Sequence, residues 1–357
     1  MATYKTIKYI VPVEVVEHTD SINALADVDT STAAPTEGQT IKWNGTNWVP
    51  GDIEESASGT QKALFGFGFL NGNGMTNITN LVSSSGVVAS DTTGVGSARR
   101  GLAASGYGGD KAIFGFGFTN SRTSLTNLVS NIGVVASDTT GVGTAKTYPA
   151  AAGYGSTGQA LFGFGSDGSY TSATNLVSNA GVVATDTTGV GTSRSQLAAS
   201  GFGGDKAIFG FGNTNSPTNI SNLVSNTGVV ASDTTGVGTA RHGLAAAGYG
   251  GDKALFGYGA TVDNPNGYNS SMTNLVSNTG VVASDTTGVG TTRQRIAASG
   301  YGGDKAIFGF GWNEVYYNSA DFNVTNLVSN TGVVASDTTG VGTARQNLAA
   351  AGYSTTA

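Results

Sequence analysis

The sequence predicts an all-β chain whose main domain is a six-bladed β-propeller, because one unit recurs six times and each copy carries four short strand signals. The unit reads approximately GYGGDKAIFGFG, a variable insert, TNLVSNTGVVASDTTGVGTAR and LAASGYG. A repeat of this length indicates one supersecondary structure copied in space. The Asn-Leu-Val core gives periods of 47, 48, 47, 52 and 52 residues between Asn80, Asn127, Asn175, Asn222, Asn274 and Asn326.

The four strands of one unit can be assigned in order between Leu244 and Arg293. Strand A is the small-residue run LAAAGY, and a Gly-Gly-Asp turn leads to strand B, KALFGYG. After the insert, strand C is TNLVS, and an Asn-Thr-Gly turn leads to strand D, VVAS. Abundant glycine and β-branched residues argue against helix. A β-helical solenoid is the main alternative, but its coil is usually shorter and does not require four strands joined by turns.

The phase of the repeats predicts how the propeller closes. The B strands begin at Lys62, Lys111, Gln159, Lys206, Lys253 and Lys305. The A strands begin near Leu102, Tyr148, Leu197, Leu244, Ile296 and Leu348. Because the repeats enter at a B strand and leave after an A strand, we expect the last A strand, Leu348–Tyr353, to pair with Ala63–Gly68. That pairing would complete the first blade, so that every blade has four strands. It would also leave no unpaired strand edge in the ring.

Composition and charge exclude several classes of function. The 357 residues carry a net charge of −6 and only 11% charged residues, with no basic cluster, so we expect no nucleic-acid partner. Cysteine is absent and only His18 and His242 supply imidazoles, so we expect no metal and no cofactor. No apolar run has membrane-spanning length, and the N-terminus lacks signal-peptide features, so we expect neither membrane insertion nor secretory routing.

The order of features within each unit resembles the kelch repeat, most visibly in residues 241–259 and 293–311. A kelch unit usually has a double glycine after its second strand and a tryptophan in its fourth. Here those places hold Gly-Phe-Gly or Gly-Tyr-Gly and Val-Val-Ala. The resemblance covers residues 61–353 and implies kelch-like four-stranded blades, without implying ancestry or an activity.

The N-terminal part resembles a different family. Residues 25–50, LADVDTSTAAPTEGQTIKWNGTNWVP, are similar to a module found in tail-fibre and other structural proteins of bacteriophages. The motifs that carry the resemblance are LADVD, PTEGQ and WNGTNW. In that family the module is an attachment or spacer region, so the resemblance implies a virion component, assembled in the host cytoplasm.

We therefore divide the chain into an attachment segment, residues 1–55, and a propeller, residues 56–357. Thr40–Trp43 and Asn47–Pro50 predict a hairpin around an Asn-Gly turn. Trp43 and Trp48 flank this turn and are the candidate virion-attachment residues. Because the segment is too small for a large core, we expect it to dock on other virion proteins or on copies of itself as a homo-oligomer.

The candidate ligand-binding residues lie in the variable B–C inserts, which emerge at the same end of a blade as the D–A connections. The inserts span residues 69–78, 118–124, 166–173, 213–220, 260–272 and 312–324. Exposed aromatic rings beside carboxylates and amides are suited to stacking on sugars. The alternative is that these loops pack on each other and bind nothing. The two longest inserts supply Tyr268, Trp312, Tyr316, Tyr317 and Phe322, with Asp263, Glu314 and Asp321 nearby.

A repeated acid and base form a second candidate feature. The cations at the end of the D–A connections are Arg99, Lys146, Arg194, Arg241, Arg293 and Arg345. They are matched, copy by copy, with Asp91, Asp138, Asp186, Asp233, Asp285 and Asp337. Either the six carboxylates hold a cation at the mouth of the channel, or each Asp caps its turn while each Arg bridges neighbouring blades. The second interpretation is favoured.

These observations favour a non-enzymatic bacteriophage virion protein of the tail-fibre or receptor-binding type, whose propeller binds a host-surface glycan or another surface ligand. The alternative is a capsid or tail decoration protein, or a spacer, without a specific ligand. A glycan depolymerase is a third hypothesis, for which Glu314 and Asp321 are the candidate carboxylates. The sequence argues against catalysis, because it has no histidine cluster, no sialidase-type Asp box and few carboxylates.

Overall fold

The computed structural model describes residues 39–43, 46–52, 61–261, 268–313 and 320–356. All the regular secondary-structure elements named in these ranges are β-strands, so the predicted all-β class is confirmed. The chain divides into two compact units, Met1–Ser56 and Ala57–Ala357. Within the same described ranges, no helix has the length and apolar character needed to cross a bilayer.

The first unit contains the predicted hairpin. Strands β1 (Gln39–Trp43) and β2 (Trp48–Asp52) pair antiparallel, with Trp43 opposite Trp48. Strand β2 runs past the predicted end at Pro50. The pairing follows from the Asn-Gly sequence between the strands, which favours a tight two-strand connection.

The second unit contains six antiparallel three-stranded sheets in the order A-B-C. The A strands are β5 (Ala103–Tyr107), β8 (Ala150–Tyr154), β11 (Ala198–Phe202), β14 (Ala245–Tyr249), β17 (Ala297–Tyr301) and β20 (Ala349–Ser354). The B strands are β3 (Gln61–Leu70), β6 (Lys111–Gly115), β9 (Gln159–Gly163), β12 (Lys206–Asn213), β15 (Lys253–Gly257) and β18 (Lys305–Asn313). The C strands are β4 (Gly74–Val82), β7 (Thr126–Val129), β10 (Thr174–Val177), β13 (Pro217–Val224), β16 (Thr273–Val276) and β19 (Ala320–Val328).

The predicted D strand does not form a regular strand in any copy, and this expectation was wrong. In the first sheet the D segment touches the C strand at two isolated bridges, Val88 with Val82 and Thr92 with Thr79, and the same two bridges recur in the other five sheets. Between them the side-chain amide of Asn80 donates a hydrogen bond of 3.0 Å to the carbonyl of Ala89. A side chain thus takes a carbonyl that a continuous ladder would pair with backbone, and the D segment bulges away from its neighbour.

The first sheet combines both ends of the repeat region, as the phase of the repeats predicts. Strand β20 pairs antiparallel with β3, with Ala349 opposite Gly66 and Tyr353 opposite Lys62. The sheet order β20-β3-β4 therefore places the C-terminal strand in the A position. This pairing supplies the first B strand with the neighbour that the sequence before it lacks.

Backbone hydrogen bonds join each sheet to the next and return from the last sheet to the first. At one end, six residues in equivalent positions each donate their N–H to the carbonyl of the equivalent residue in the preceding repeat. The N–H of Tyr148, for example, donates to the carbonyl of Gly101 at 2.7 Å, and the N–H of Gly101 donates to the carbonyl of Asn347 in the last repeat at 2.9 Å. The bonds therefore form a closed circle of six. We call these residues the junction ring: Gly101, Tyr148, Gln196, Gly243, Arg295 and Asn347.

A second circle joins the A–B turns at the other end of the sheets. It includes the bond from the Gly108 N–H to the Gly158 carbonyl at 2.7 Å, and it crosses the chain ends through the bond from the Ser354 N–H to the Asp110 carbonyl at 2.9 Å. Both ends of the unit are thus tied through backbone groups, whose pairing does not depend on side-chain identity.

Aromatic rings fill the layers between neighbouring sheets. The ring of Phe114 lies against the backbone of Gly66 in the preceding sheet, where a Cβ would approach it to 2.8 Å, and its centroid is 5.1 Å from that of Phe67. Phe67 itself has a φ of 63°, and the aromatic residue of every Gly-aromatic-Gly motif shares this left-handed conformation. The motif therefore encodes a bulge with a seat for the neighbour's ring, which explains why its glycines repeat.

Candidate functional site

The two ends of the sheets differ in their residues. One end, which we call the turn end, consists of the A–B turns, four of which read Gly-Gly-Asp-Lys. The other, which we call the junction end, consists of the junction ring and the B–C inserts. The inserts and the D–A connections meet there through bridges such as Arg100 with Phe118 and Gln294 with Trp312. Most of the differences between repeats are therefore gathered at the junction end.

The junction ring holds side chains in a backbone conformation that disfavours them. All six positions have φ between 53° and 62°. Glycine occupies only Gly101 and Gly243, so Tyr148, Gln196, Arg295 and Asn347 adopt the left-handed region with a side chain in place. Each such residue costs on the order of 1 kcal/mol relative to an unstrained conformation. The fold keeps this strain although two copies show that glycine is accepted.

The junction ring surrounds the opening of a cavity of about 120 Å³. Below the ring, the cavity walls are the first residues of the A strands, mainly leucine and alanine. The order of the hydrogen bonds places Gly101 and Gly243 on opposite sides of the circle. Tyr148 and Gln196 therefore form one half of the rim, and Arg295 and Asn347 form the other.

Arg295 is held by contacts to two neighbouring elements. Its guanidinium lies 4.6 Å from the centroid of the Trp312 ring, and its Nη1 donates a hydrogen bond of 2.8 Å to Oε1 of Gln346. Nε2 of Gln346 donates in turn to Asp321 at 3.0 Å, and the N–H of Asn71 donates to the same carboxylate at 2.7 Å. Burial raises the pKa of Asp321, although the hydrogen bonds from Asn71 and Gln346 and the nearby positive charge of Arg295 act in the opposite direction.

The structure places the sequence-predicted aromatic residues in different environments. Tyr268 is 71% exposed, so its ring is open to a ligand. Trp312 is only 9% exposed and lies beneath Arg295, which leaves little of its ring for sugar stacking. Phe322 is half-buried and pairs with Gly311 within the sixth sheet. The remaining candidates of these inserts lie outside the described residues: Tyr316, Tyr317, Asp263 and Glu314.

Sequence reasoning missed the junction ring. The signal was present in the two residues after each repeated cation, which read Arg-Gly, Thr-Tyr, Ser-Gln, His-Gly, Gln-Arg and Gln-Asn in the six copies. A comparison of the repeats position by position identifies this dipeptide as the most variable part of the otherwise constant frame. Its convergence into a circle depends on the packing of the sheets, which the sequence does not display.

The repeated cations and carboxylates pair between repeats and not within them, so the expected register was wrong. Arg99 is fully buried, and its Nη1 lies 3.5 Å from Asp138 of the following repeat. Its Nε donates to the carbonyl of Phe116 at 3.0 Å, and its Nη2 donates to Oδ1 of Asn127. The carboxylate of Asp138 accepts hydrogen bonds from the N–H and the hydroxyl of Ser97 at 2.9 and 2.6 Å.

This network confirms the interpretation in which the arginine bridges neighbouring sheets. The guanidinium of Arg99 also lies 4.4 Å from the ring centroid of Phe67 in the preceding sheet. Burial raises the pKa of Asp138, but the hydrogen bonds from Ser97 and Asn127 outweigh it and keep the pKa below its usual value. In the described ranges, no group of three or more His, Cys, Asp or Glu side chains is arranged to hold a metal ion.

Lys146 shows what the arginine contributes. Its Nζ donates one hydrogen bond of 3.2 Å, to the carbonyl of Ala173, and lies 4.9 Å from the Phe116 ring centroid. Oδ1 of Asn175 is buried without a hydrogen-bond partner, as is Oδ1 of Asn80 beside Arg345, whereas the equivalent Asn127 receives a hydrogen bond from Arg99. Burial lowers the pKa of Lys146 to about 8.

The turn end encloses a larger cavity, of about 360 Å³, lined by glycines, tyrosines and lysines. Each lysine of a Gly-Gly-Asp-Lys turn pairs with the aspartate before it, at N–O distances between 2.6 and 3.0 Å. These ion pairs balance the positive charges. The turn end differs between copies mainly at the turn that leads to β9, where Gln159 takes the place of the lysine, so it varies less than the junction end.

The first unit has one described candidate side chain. Trp48 is 41% exposed at the start of β2. The attachment role of Trp43 and Trp48 stays a prediction.

No protein-family model matches this chain, and no curated protein matches it. Its function is therefore inferred from its own residues.

Proposed function

We propose that the six sheets are the kelch-like blades of a closed six-bladed β-propeller, and that the protein is a bacteriophage virion protein of the tail-fibre or receptor-binding type. Residues 1–55 attach the chain to other virion proteins or to its own copies. The junction end of the propeller binds a glycan or another ligand on the host surface.

Two features support the propeller. Backbone hydrogen bonds run from each sheet to the next and return to the first at both ends of the unit. The C-terminal strand β20 completes the sheet of β3, so no sheet lacks its A strand. Closure by the chain ends in one shared sheet is the simplest account of both observations.

The binding function rests on the junction ring. Four side chains persist in left-handed positions where the same protein uses glycine twice, and the contacts that hold them, such as Gln196 with His242 and Arg295 with Gln346, differ from copy to copy. Strained residues of this kind cluster at functional sites, and loops carry function on rigid scaffolds. The exposed Tyr268 adds an aromatic surface near the same end.

Attachment through residues 1–55 rests on the resemblance of residues 25–50 to phage structural proteins. The hairpin of β1 and β2 overlaps that stretch, and Trp48 exposes 41% of its surface. Exposed tryptophan is enriched in protein interfaces, which is consistent with docking on a partner.

The test is a glycan array probed with the full-length chain. We expect binding to at least one surface glycan, a marked loss in the Tyr148→Gly/Gln196→Gly variant, and unchanged binding in Lys253→Ala, a control at the turn end. Absence of binding to every glycan and to intact host cells would favour a decoration protein. Release of reducing sugar from a bound polysaccharide would favour a depolymerase.

One observation favours the decoration alternative. Trp312 is buried and Phe322 is half-buried, so part of the aromatic content of the inserts packs within the unit. Packed inserts stabilise a surface without recognising anything. The glycan array distinguishes a receptor-binding protein from a decoration protein, because a decoration protein binds no glycan, whether or not Tyr148 and Gln196 are replaced by glycine.

A further inference from the structure

In the junction ring, side chains and not backbone groups are available to contact a ligand. Its six N–H groups and six carbonyls are paired with one another around the circle, at distances from 2.6 to 3.2 Å. A ligand at this opening therefore meets a rim whose polar backbone is already satisfied. What differs around the rim is the side chain at each position, and so the side chains determine what binds.

The size of the cavity limits what can enter. A volume of about 120 Å³ lies below the range of roughly 300–1,000 Å³ that encloses most small ligands. Its walls below the ring are apolar. A ligand would therefore rest on the rim with one small group at the opening, as the terminal sugar of a chain would do.

The charge of the opening is distinctive. Among the described residues that line this cavity, Arg295 is the only charged one, in a chain whose net charge is −6. No lining residue in that described set is acidic. A single cation among neutral lining residues favours a ligand with a localised negative charge at that point, although the net charge of the chain and the nearby carboxylate of Asp321 oppose it.

The guanidinium of Arg295 is positioned in advance. It lies on the Trp312 ring at 4.6 Å and donates through Nη1 to Gln346. A guanidinium has five N–H donors, and this bond occupies one of them. A planar group held in this way presents paired donors that match a carboxylate, and less conformational entropy is lost on binding.

We propose that the junction ring binds an acidic sugar, a hexuronate at the end of a glycan chain, through a salt bridge between its carboxylate and Arg295. On the opposite half of the rim, Tyr148 supplies a ring edge or face, and Gln196, whose Oε1 pairs with Nδ1 of His242 at 2.6 Å, supplies its amide N–H groups for the sugar hydroxyls. This assignment rests on the proposed glycan-binding function and names the substrate class of that site.

The experiment compares D-glucuronate with D-glucose, which differ at C6 as carboxylate and hydroxymethyl. Binding of each sugar to the full-length chain is measured by protein-detected NMR titration at low and high salt. We expect glucuronate to bind at least about tenfold more tightly than glucose, because a charge-assisted bidentate contact is lost with glucose. The preference should weaken at high salt.

Three variants locate the contact. Arg295→Gly introduces the residue found at Gly101 and Gly243, so it is expected to fold, with a melting temperature close to that of the parent. It should abolish the glucuronate preference, Arg295→Lys should retain part of it, and Lys253→Ala at the turn end should leave it intact. Equal binding of both sugars, no detectable glucuronate binding, or an unchanged preference in Arg295→Gly overturns the proposal.

The outcomes separate this proposal from the proposed function. If the chain binds a neutral glycan on the array and Arg295→Gly has no effect, the binding function stands and the acidic-sugar assignment is wrong. If glucuronate binds at the ring but no host glycan binds the chain, the site is correct and the host-surface function is wrong.

Discussion

The turn end and the junction end are built from the same six repeats, yet only the junction end has diversified. At the turn end, a Cβ on Gly108 would lie 2.9 Å from the carbonyl of Asn179 in the next sheet, and Gly302 meets Ser84 in the same way. A side chain there collides with backbone, so the glycine repeats. At the junction ring the backbone is equally constrained, but four of six positions carry side chains.

Backbone hydrogen bonds between neighbouring sheets tie both ends of the unit, yet side chains have replaced glycine only at the junction end. Both ends use N–H to carbonyl bonds between neighbours. The steric surroundings differ: at the turn end a Cβ would meet the backbone of the next sheet's C–D turn, whereas at Gly101 it would meet the side chains of Thr147 and Tyr148. Sequence variation is therefore tolerated where a side chain meets other side chains, which can change with it, and not where it meets backbone.

The largest loss of stability is expected from a deletion that interrupts both circles of backbone hydrogen bonds at once. Deleting the residues after Thr343 removes β20 and Arg345, leaves the edge of β3 unpaired and interrupts the bonds that cross the chain ends. We expect a loss comparable to the stability of a whole domain, about 5 kcal/mol or more, in thermal or denaturant unfolding. Truncation after Ser354 keeps β20 and is the control; equal melting temperatures for the two truncated chains would falsify closure by this strand.

The next-largest effect is a difference in stability between variants of two arginines, Arg293 and Arg295, which lie two residues apart. Arg293 is fully buried and donates to the carbonyl of Phe310 at 2.7 Å and to Asn326, so Arg293→Ala leaves buried acceptors unpaired. We expect it to cost about 3–5 kcal/mol, as for breaking a buried charge network. Arg295→Gly loses the contacts to Trp312 and Gln346 but relieves a strained φ, so its net cost should stay within about 1 kcal/mol. Similar unfolding midpoints for the two variants contradict the division between scaffold and rim.

Lys146→Arg should stabilise the protein at pH 7. The longer side chain can reach Oδ1 of Asn175, which now lacks a partner, and one such bond contributes about 1–3 kcal/mol. Lys253→Arg, at an exposed ion pair of the turn end, is the matched control and should change little.

The benefit of Lys146→Arg should shrink as the pH rises. Burial lowers the pKa of Lys146 to about 8 from an ordinary value of 10.5, so between these pH values the unfolded chain binds more protons than the folded one. The stability of the parent relative to the arginine variant therefore rises from pH 8 towards pH 10, where the lysine is neutral in the folded state. Urea unfolding of both chains at pH 7 and pH 9.5 measures this; a constant difference means that Lys146 stays charged.

The smallest effect is expected at the rim. Tyr148→Gly and Gln196→Gly each remove a side chain from a φ near 53°, which should stabilise by up to about 1 kcal/mol, offset in part by the entropy of glycine in the unfolded chain. The reverse change, Gly243→Ala, should destabilise by a similar amount, since a Cβ there has its nearest neighbour at 3.3 Å and the cost is mainly conformational. Differences in denaturation midpoint of the opposite sign would show that these side chains are held for stability.

Much of the scaffold could be predicted because it repeats. Five of the six predicted starts of the B strands, the pairing of the last A strand with Ala63–Gly68 and the pairing of the hairpin strands around Trp43 and Trp48 agree with the structure, and the first B strand starts one residue earlier, at Gln61. The D strand could not be predicted correctly, because the side chain of Asn80 competes for the carbonyl of Ala89. Strand propensity alone does not predict this competition between a side chain and the backbone.

The candidate site was less accessible to prediction. An aromatic residue in a long insert suggests a binding surface, but Trp312 is covered by Arg295, whereas Tyr268 is open. The partner of each buried arginine was assigned one repeat too early, since Arg99 meets Asp138 and not Asp91. Both errors concern which repeat a side chain turns towards, and a periodic sequence looks the same in either direction.

The sequence by itself determined the strand order, the number of sheets and the join between the chain ends, because these depend on local propensity and on the phase of a repeat. Only the tertiary structure decided that six variable residues separated by about fifty positions meet in one circle that includes Arg295. The physical reason is that the circle is made by hydrogen bonds between sheets. Those bonds depend on how the sheets pack, and no single repeat contains that information.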